Sequence, residues 1–240
     1  VKVNSTAWQN DESKRLVYVG SNGSGPLGAA AQTAVAYYYD ASGIPRGMYV
    51  WMLSYDGDHY TATAIPEFEN LFSYHGFSVR YTGNTGLRCV YGIDSSKKAQ
   101  LISTSGWNGY RITEMGTLIM RPDNYEENPM IYGSNKVSGG RTYWVANGKV
   151  NNKVIRKTDG RDRFANVLIK LPPSRYDTAY YFRPYAMMDY NGSNIVIYGP
   201  EMSRSMYTVC KQILGHNDFE PGTSGYHFLK NIVDSVENKQ

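Results

Sequence analysis

Trp107, Asn108 and Tyr110 sit in the stretch STSGWNGYR, where Gly106 and Gly109 mark turns and no apolar alternation is present. An indole face beside a carboxamide and a phenol hydroxyl suits a partner that is apolar on its face and polar at its fringe, as a sugar ring is. Tyr143 and Trp144, flanked by Arg141 and Asn147, repeat that combination. Trp8, in NSTAWQND, and Tyr37 and Tyr39, in AVAYYYD, are further ligand-binding candidates. No bond is broken in such a contact, so no tuned acid or base is required. The other reading of Trp8, Trp107 and Trp144 is a lid folded over the core. Trp51 lies in the apolar run MYVWMLS and is expected inside it.

The sequence carries no recognisable catalytic motif. A hydrolase needs a nucleophile, a base and a group that orients the base. The four histidines, His59, His75, His216 and His227, fall in no recognisable motif, and no nucleophile elbow, paired-histidine metal motif or phosphate loop is present. Carboxylate pairs that could serve a glycosidase are Asp56 with Asp58, Glu67 with Glu69, and Glu126 with Glu127. The first reads as a turn and the last as a solvated loop. Residues 56–58 and 158–162 carry fragments of a calcium-ligand pattern, but Arg161 works against the second. Catalytic residues, metal sites and cofactors are therefore not expected. Cys89 falls in a core strand and Cys210 on the buried face of a helix, so both read as structural, either as one disulfide or as two buried thiols.

The elements that carry these residues are mostly strands. Glycines and prolines, 24 and 10 of them, punctuate the chain evenly, and short alternating runs lie between. That pattern predicts a mainly β fold. RLVYVG, the end of AAAQTAVAYYYD, MYVWMLS, TATAI and GFSVRYTG read as a meander of strands; the alanine-rich start of the second run is compatible with helix. GLRCVYGID, GYRITEMGTLIMRP with a bend at Gly116, FANVLIKL and the hairpin AYYFRPYAMMDYNGSNIVIYGP follow. The Asn191-Gly192 pair marks the hairpin turn, as a two-residue loop or a longer one. SRSMYTVCKQIL is a helix capped by Ser203 or Ser205, with Met206, Val209, Cys210 and Ile213 on one face and Gly215 at its end. The tail HFLKNIVDSVENK can form another short helix. The expected architecture is two β-sandwich-like lobes with a C-terminal helix on the second: residues 1–83, residues 84–214, and a tail of residues 215–240.

Composition narrows the function classes. The 240 residues suffice for a substantial core. The net charge is +4, from 25 Lys and Arg against 21 Asp and Glu, and it is scattered. The nearest basic runs, Lys97-Lys98 and Arg156-Lys157 with Arg161 and Arg163, read as solvated turns, so nucleic acid is not an expected partner. No apolar run approaches the length of a membrane span. The sequence starts at Val1 and is expected to be part of a longer or processed protein. There are 22 Tyr and 4 Trp against 7 Phe, an excess that β propensity explains in part and a contact surface explains in the rest.

Residues 85–214 resemble a module that recurs in secreted and surface proteins of gut Firmicutes. The resemblance is carried by GLRCVYGID, EMGTLIMRPD and YDTAYYFRPYAMMDYNGSNIVIYGPEMSRSMYTVCKQIL. Cys89 stands where that module has Phe, which hints at a disulfide or a thiol contact with Cys210. Arg183 has a counterpart there and reads as a structural partner of a buried carboxylate or carbonyl. With an aromatic-rich β lobe ahead of the module, the whole chain resembles the two-lobed starch-binding modules of amylosome adhesion and scaffold proteins. That resemblance implies a non-catalytic domain of an extracellular, secreted or cell-surface protein, holding a starch-type α-1,4-glucan in a groove between its lobes. A cellulose- or hemicellulose-binding module of a cellulosome, with a β-glucan as ligand, is the alternative; an adhesion module for proteins, including other modules of the same complex, suits the same surface. An enzyme with scattered acids is the third reading.

Overall fold

The structure is a computed structural model and describes residues 14–18, 32–39, 45–55, 60–125, 130, 132, 136–137, 140–141, 143–146 and 156–239. It is mainly β. Strands β1 (Lys14–Tyr18), β2 (Gln32–Tyr39), β3 (Pro45–Tyr55) and β4 (Tyr60–Ala64) form one antiparallel meander in that order. A 3-10 turn at Pro66–Phe68 leads to β5 (Phe72–Arg80), which pairs with β6 (Gly86–Asp94). Helix α1 (Ser95–Leu101) follows, then β7 (Tyr110–Met120) and the short α2 (Pro122–Tyr125). Strands β8 (Lys136–Val137) and β9 (Gly140–Arg141) pair with each other, and β10 (Tyr143–Ala146) pairs with β7. After β11 (Arg156–Thr158) and β12 (Arg161–Ile169) come β13 (Tyr180–Tyr190), β14 (Ser193–Tyr198) and β15 (Met202–Arg204). Helices α3 (Met206–Gly215) and α4 (Ser224–Glu237) end the described chain.

Two further sheets have the orders β11-β12-β6-β5 and β10-β7-β13-β14, with β15 beside the start of β13. They face each other. The period of two in β6 sends Leu87, Cys89, Tyr91 and Ile93 inward, all fully buried. Across the interface Tyr91 donates its hydroxyl to Phe182 O at 2.8 Å, and the Phe77 and Phe182 rings meet edge-on at 5.2 Å. Asn166 donates to Thr117 Oγ1 at 2.5 Å, which satisfies a buried amide between the sheets. Helix α3 is capped by Ser205, whose Oγ accepts from Thr208 N at 3.0 Å. Helix α4 buries Leu229, Ile232, Val233 and Val236, a helical spacing.

The meander joins the same core. Met48 and Val50 of β3 belong to one apolar cluster with Phe68, Leu71 and Phe72. Thr33 donates to Val196 O at 2.6 Å, and Met48 N–H donates to Asn70 Oδ1 at 3.2 Å. The boundary expected at Gly83 falls in the turn between β5 and β6, two hydrogen-bonded neighbours of one sheet, so the chain enters the second sheet system already at Phe72. Gly116 stays in register with Tyr185; the irregularity in β7 lies instead at Thr113, between the partners of Met187 and Met188. Trp51 is half-buried rather than enclosed, its ring tilted against Tyr49 at 6.3 Å.

The Lys97-Lys98 run is not a solvated turn, and Arg161 is also engaged. Lys98 is buried and its Nζ lies 3.0 Å from Asp162 Oδ2. Lys97 donates to the carbonyl of Glu67. Arg161 Nη1 donates to Asn70 O at 2.6 Å and Leu71 O at 2.9 Å. Lys98 thus ties α1 to β12, and Lys97 and Arg161 tie α1 and β12 to the 66–71 loop, because carbonyls left over at a 3-10 turn need donors. The side chains of Arg156 and Lys157 lie outside the described set.

Candidate functional site

Helix α1 stops at Leu101, and a turn closed by Gly106 N–H to Ser103 O at 3.1 Å brings the chain to Trp107. Trp107 N–H donates to Tyr110 O at 2.8 Å, and Tyr110 N–H returns to Trp107 O at 2.9 Å. Asn108 and Gly109 between them have φ of 48° and 82°. Two positive φ values in a two-residue loop define the turn whose twist matches a hairpin, and Asn-Gly is the pair that adopts it most readily. The β13–β14 hairpin uses the same device: Tyr190 pairs with Ser193, and Asn191 and Gly192 have φ of 49° and 80°. Tyr110 and Tyr190 are register partners, so the two Asn-Gly turns lie at the same end of the same sheet.

That placement builds an aromatic edge. The Tyr110 and Tyr190 rings stack at 4.2 Å with 16° between planes. Phe68, fully buried, meets Tyr110 edge-on at 5.0 Å and Trp107 at 5.9 Å and 66°. Trp107 is half-buried: it lids Phe68 and keeps part of the indole at the surface. Aromatic contacts of this kind add about 0.5–1.5 kcal/mol each beyond burial, which fixes the rings relative to one another. Asn108, Gly109 and Asn191 are exposed around them. Arg111 and Asp189, 3.6 Å apart, flank the pair on the next register position. Burial, then the neighbouring Tyr190, then the Glu67 carboxylate push the Tyr110 hydroxyl up to about 12. It therefore stays protonated at neutral pH and can both donate and accept.

The remaining expected residues are elsewhere. Trp144 pairs with Ile119 at the far end of β7, about 30 Å along the strand from Tyr110, so the two tryptophans do not share one groove. The side chain of Trp144 lies outside the described set, as do those of Tyr37 and Tyr39. Tyr37 pairs with Met48, whose N–H reaches Asn70, two residues from Phe68, so the backbone of β2 approaches the edge. Trp8 lies outside the described residues, as do Asp56, Asp58, Glu126 and Glu127. The sequence pattern missed Tyr190, Asn191 and Phe68. Tyr190-Asn191-Gly192 repeats the aromatic-Asn-Gly order of Trp107-Asn108-Gly109, a signal that could have paired the two turns. Phe68 is isolated in a loop and carries no such signal.

Arg183 is structural: fully buried, it donates to Met130 O at 2.8 Å and lies 4.4 Å over the Tyr198 ring. Cys89 and Cys210 are free and buried, so the disulfide implied by the resemblance is not formed. Burial raises both thiols, Cys210 to about 12. Asp162 and Asp159 of the second calcium fragment face Lys98 and Arg163. Among the described residues no group of three His, Cys, Asp or Glu side chains could hold a metal, and no helix is long and apolar enough to cross a membrane. The chain matches no protein-family model, no curated protein and no solved structure.

Proposed function

We propose that this chain is a non-catalytic carbohydrate-binding module of an extracellular or cell-surface protein, and that it holds a starch-type α-1,4-glucan on the Trp107–Tyr110–Tyr190 edge. The observation that carries the reading is the pairing of two Asn-Gly turns that fixes three rings and leaves Asn108 and Asn191 exposed beside them. The indole takes the C–H face of a pyranose, and the carboxamides, the Tyr110 hydroxyl and the Arg111–Asp189 pair take its hydroxyl fringe. Tyr110 and Tyr190 are stacked on each other rather than laid side by side in one plane. That arrangement favours a single curved chain over the flat face of a crystalline β-glucan.

The test is retention of the full chain on insoluble starch and on microcrystalline cellulose, followed by calorimetric titration with malto-oligosaccharides. Starch retention is expected, weakened about tenfold or more by Trp107→Ala and by Tyr190→Ala in folded protein. Retention on cellulose alone would replace the ligand class. No retention on either would overturn the reading and turn the search to a protein partner.

A further inference from the structure

The outer face of the β11-β12-β6-β5 sheet carries a second polar group, unrelated to the aromatic edge. Strand β5 has a bulge: Tyr74 pairs with Tyr91 and Phe77 with Cys89, so His75 and Gly76 together oppose Val90. A bulge re-aims side chains. Here it turns the His75 imidazole back along the strand, with Nε2 2.8 Å from Ser73 Oγ. Both atoms hang over Gly92, where a Cβ would come within 2.5 Å of Nε2 and 2.6 Å of Oγ. Gly92 pairs with Ser73 on one side and with Arg163 on the other, so Arg163 flanks the same notch from β12.

Arg163 is only partly committed. Its Nε is buried and makes no hydrogen bond, and its Nη2 is 3.5 Å from Asp159, whose side chain is 79% exposed. A pair of that length with one partner in water is weak and exchangeable. Arg161, on the same face, keeps its charge while bonding two carbonyls. Against these two guanidinium groups stand Asp159 and Asp94. Asp94 is already engaged, accepting Lys97 N–H at 2.8 Å as the cap of α1. The two carboxylates match the two guanidinium groups in number, but Asp159, 79% exposed and 3.5 Å from Arg163, is a partner that another anion can displace.

We propose that Ser73, His75 and Arg163 form a site over Gly92 for a small oxyanionic group, a carboxylate or a sulfate, taken either as the free ion or on an acidic sugar. With His75 protonated, Nε2–H donates to Ser73 Oγ, the Ser73 hydroxyl turns its proton to the anion, and Arg163 supplies its Nε–H and Nη2–H as a fork. Burial first and then Arg163 and Arg161 lower the His75 pKa, against the opposing pull of Asp159. A bound anion opposes that field and favours the imidazolium, so binding takes up a proton and tightens as pH falls. The site stands apart from the glucan reading, since neutral sugars have no charge to offer it.

The test follows the His75 C2–H resonance of the full chain by NMR, at constant ionic strength, while sodium sulfate or sodium galacturonate replaces sodium chloride. A saturable shift and a raised His75 midpoint are expected. Response to both anions assigns a general oxyanion site; response to galacturonate alone assigns a sugar-borne acid. Arg163→Gln weakens binding about tenfold or more, as loss of a charged donor does. Asp159→Asn frees Arg163 and tightens it. Ser73→Ala, which removes no charge, weakens it and serves if Arg163→Gln fails to fold. A shift that runs linearly and alike in chloride and in both anions would overturn the proposal, as would saturable binding undiminished in Arg163→Gln. Starch retention is unaffected by either outcome, so the two readings fail separately.

Discussion

Replacing Lys98 by Met asks whether the cation is part of the core or a solvated charge. Lys98 and Asp162 are 6% and 7% exposed, and Nζ to Oδ2 is 3.0 Å. Ser95 donates its hydroxyl to the other carboxylate oxygen at 2.6 Å. The pair welds α1 to β12, and α1 in turn delivers the chain to Trp107. Met keeps the volume of the lysine stem but takes the Lys98 ammonium away from the buried Asp162 carboxylate. Breaking a buried pair from one side costs about 3–5 kcal/mol, whereas changing an exposed lysine costs about 0.5 kcal/mol or less. In a chain of this size the larger figure lowers the melting midpoint by about 6–20 °C.

The companion variant is Lys98→Met with Asp162→Leu. Removing both charges abolishes the desolvation cost along with the attraction, so the double variant should regain at least about 2 kcal/mol over the single one. Urea unfolding followed by tryptophan fluorescence and far-ultraviolet circular dichroism measures both. A loss below about 1 kcal/mol in Lys98→Met, or a double variant no more stable than the single one, would refute the argument that this pair is buried and coupled.

Both cysteines should resist thiol reagents in the native protein and react in denaturant, because burial raises each thiol and leaves little thiolate; counting maleimide adducts by mass spectrometry checks it, and rapid native labelling of Cys89 would show that β6 is not enclosed. Tyr110 carries a sharper pH signature. Its folded pKa, about 12, lies above the ordinary 10.0, so its contribution to stability is complete below pH 10 and is lost as pH rises from there toward 12. Absorbance titration at the phenolate band should lose one late-titrating group in Tyr110→Phe, and an unchanged curve would count against the stack.

The parts of the fold that were legible are those in which neighbours in sequence decide the outcome. Alternation in residues 86–94 announced a half-buried strand, and it buries Leu87, Cys89, Tyr91 and Ile93. Ser203 or Ser205 before an apolar helical face announced the start of α3, and Ser205 caps it. Asn191-Gly192 announced a hairpin turn, and of the loop lengths open to it the two-residue one is formed. Tertiary pairing was not legible. Lys97-Lys98 looks solvated because the partner of Lys98 stands 64 residues away, in a strand that comes beside α1 only through the β6–β12 ladder. The turn at residues 81–85 looks like a linker because Thr, Gly and Asn mark both linkers and hairpins.

The candidate site divides the same way, and that division explains why a tryptophan stands in a turn. Trp107 is not placed by any pattern of its own. The Asn-Gly pair after it demands a two-residue hairpin loop, which forces the residues on either side into a closely paired bridge. Those flanking residues are Trp107 and Tyr110, so the turn chemistry alone sets their separation. What the turn cannot set is the direction from which they are covered. Phe68 supplies that from a loop held by Lys97 and Arg161, meeting both rings edge-on from beneath. Tyr190 supplies the other side because its own Asn-Gly turn ends β13 opposite the start of β7. On the proposed reading, Trp107 is a lid and a platform at once: its buried part packs on Phe68, and its exposed part is held still by that packing. Rigidity is what a weak stacking contact needs, since each ring that must be immobilised on binding subtracts from the affinity it provides.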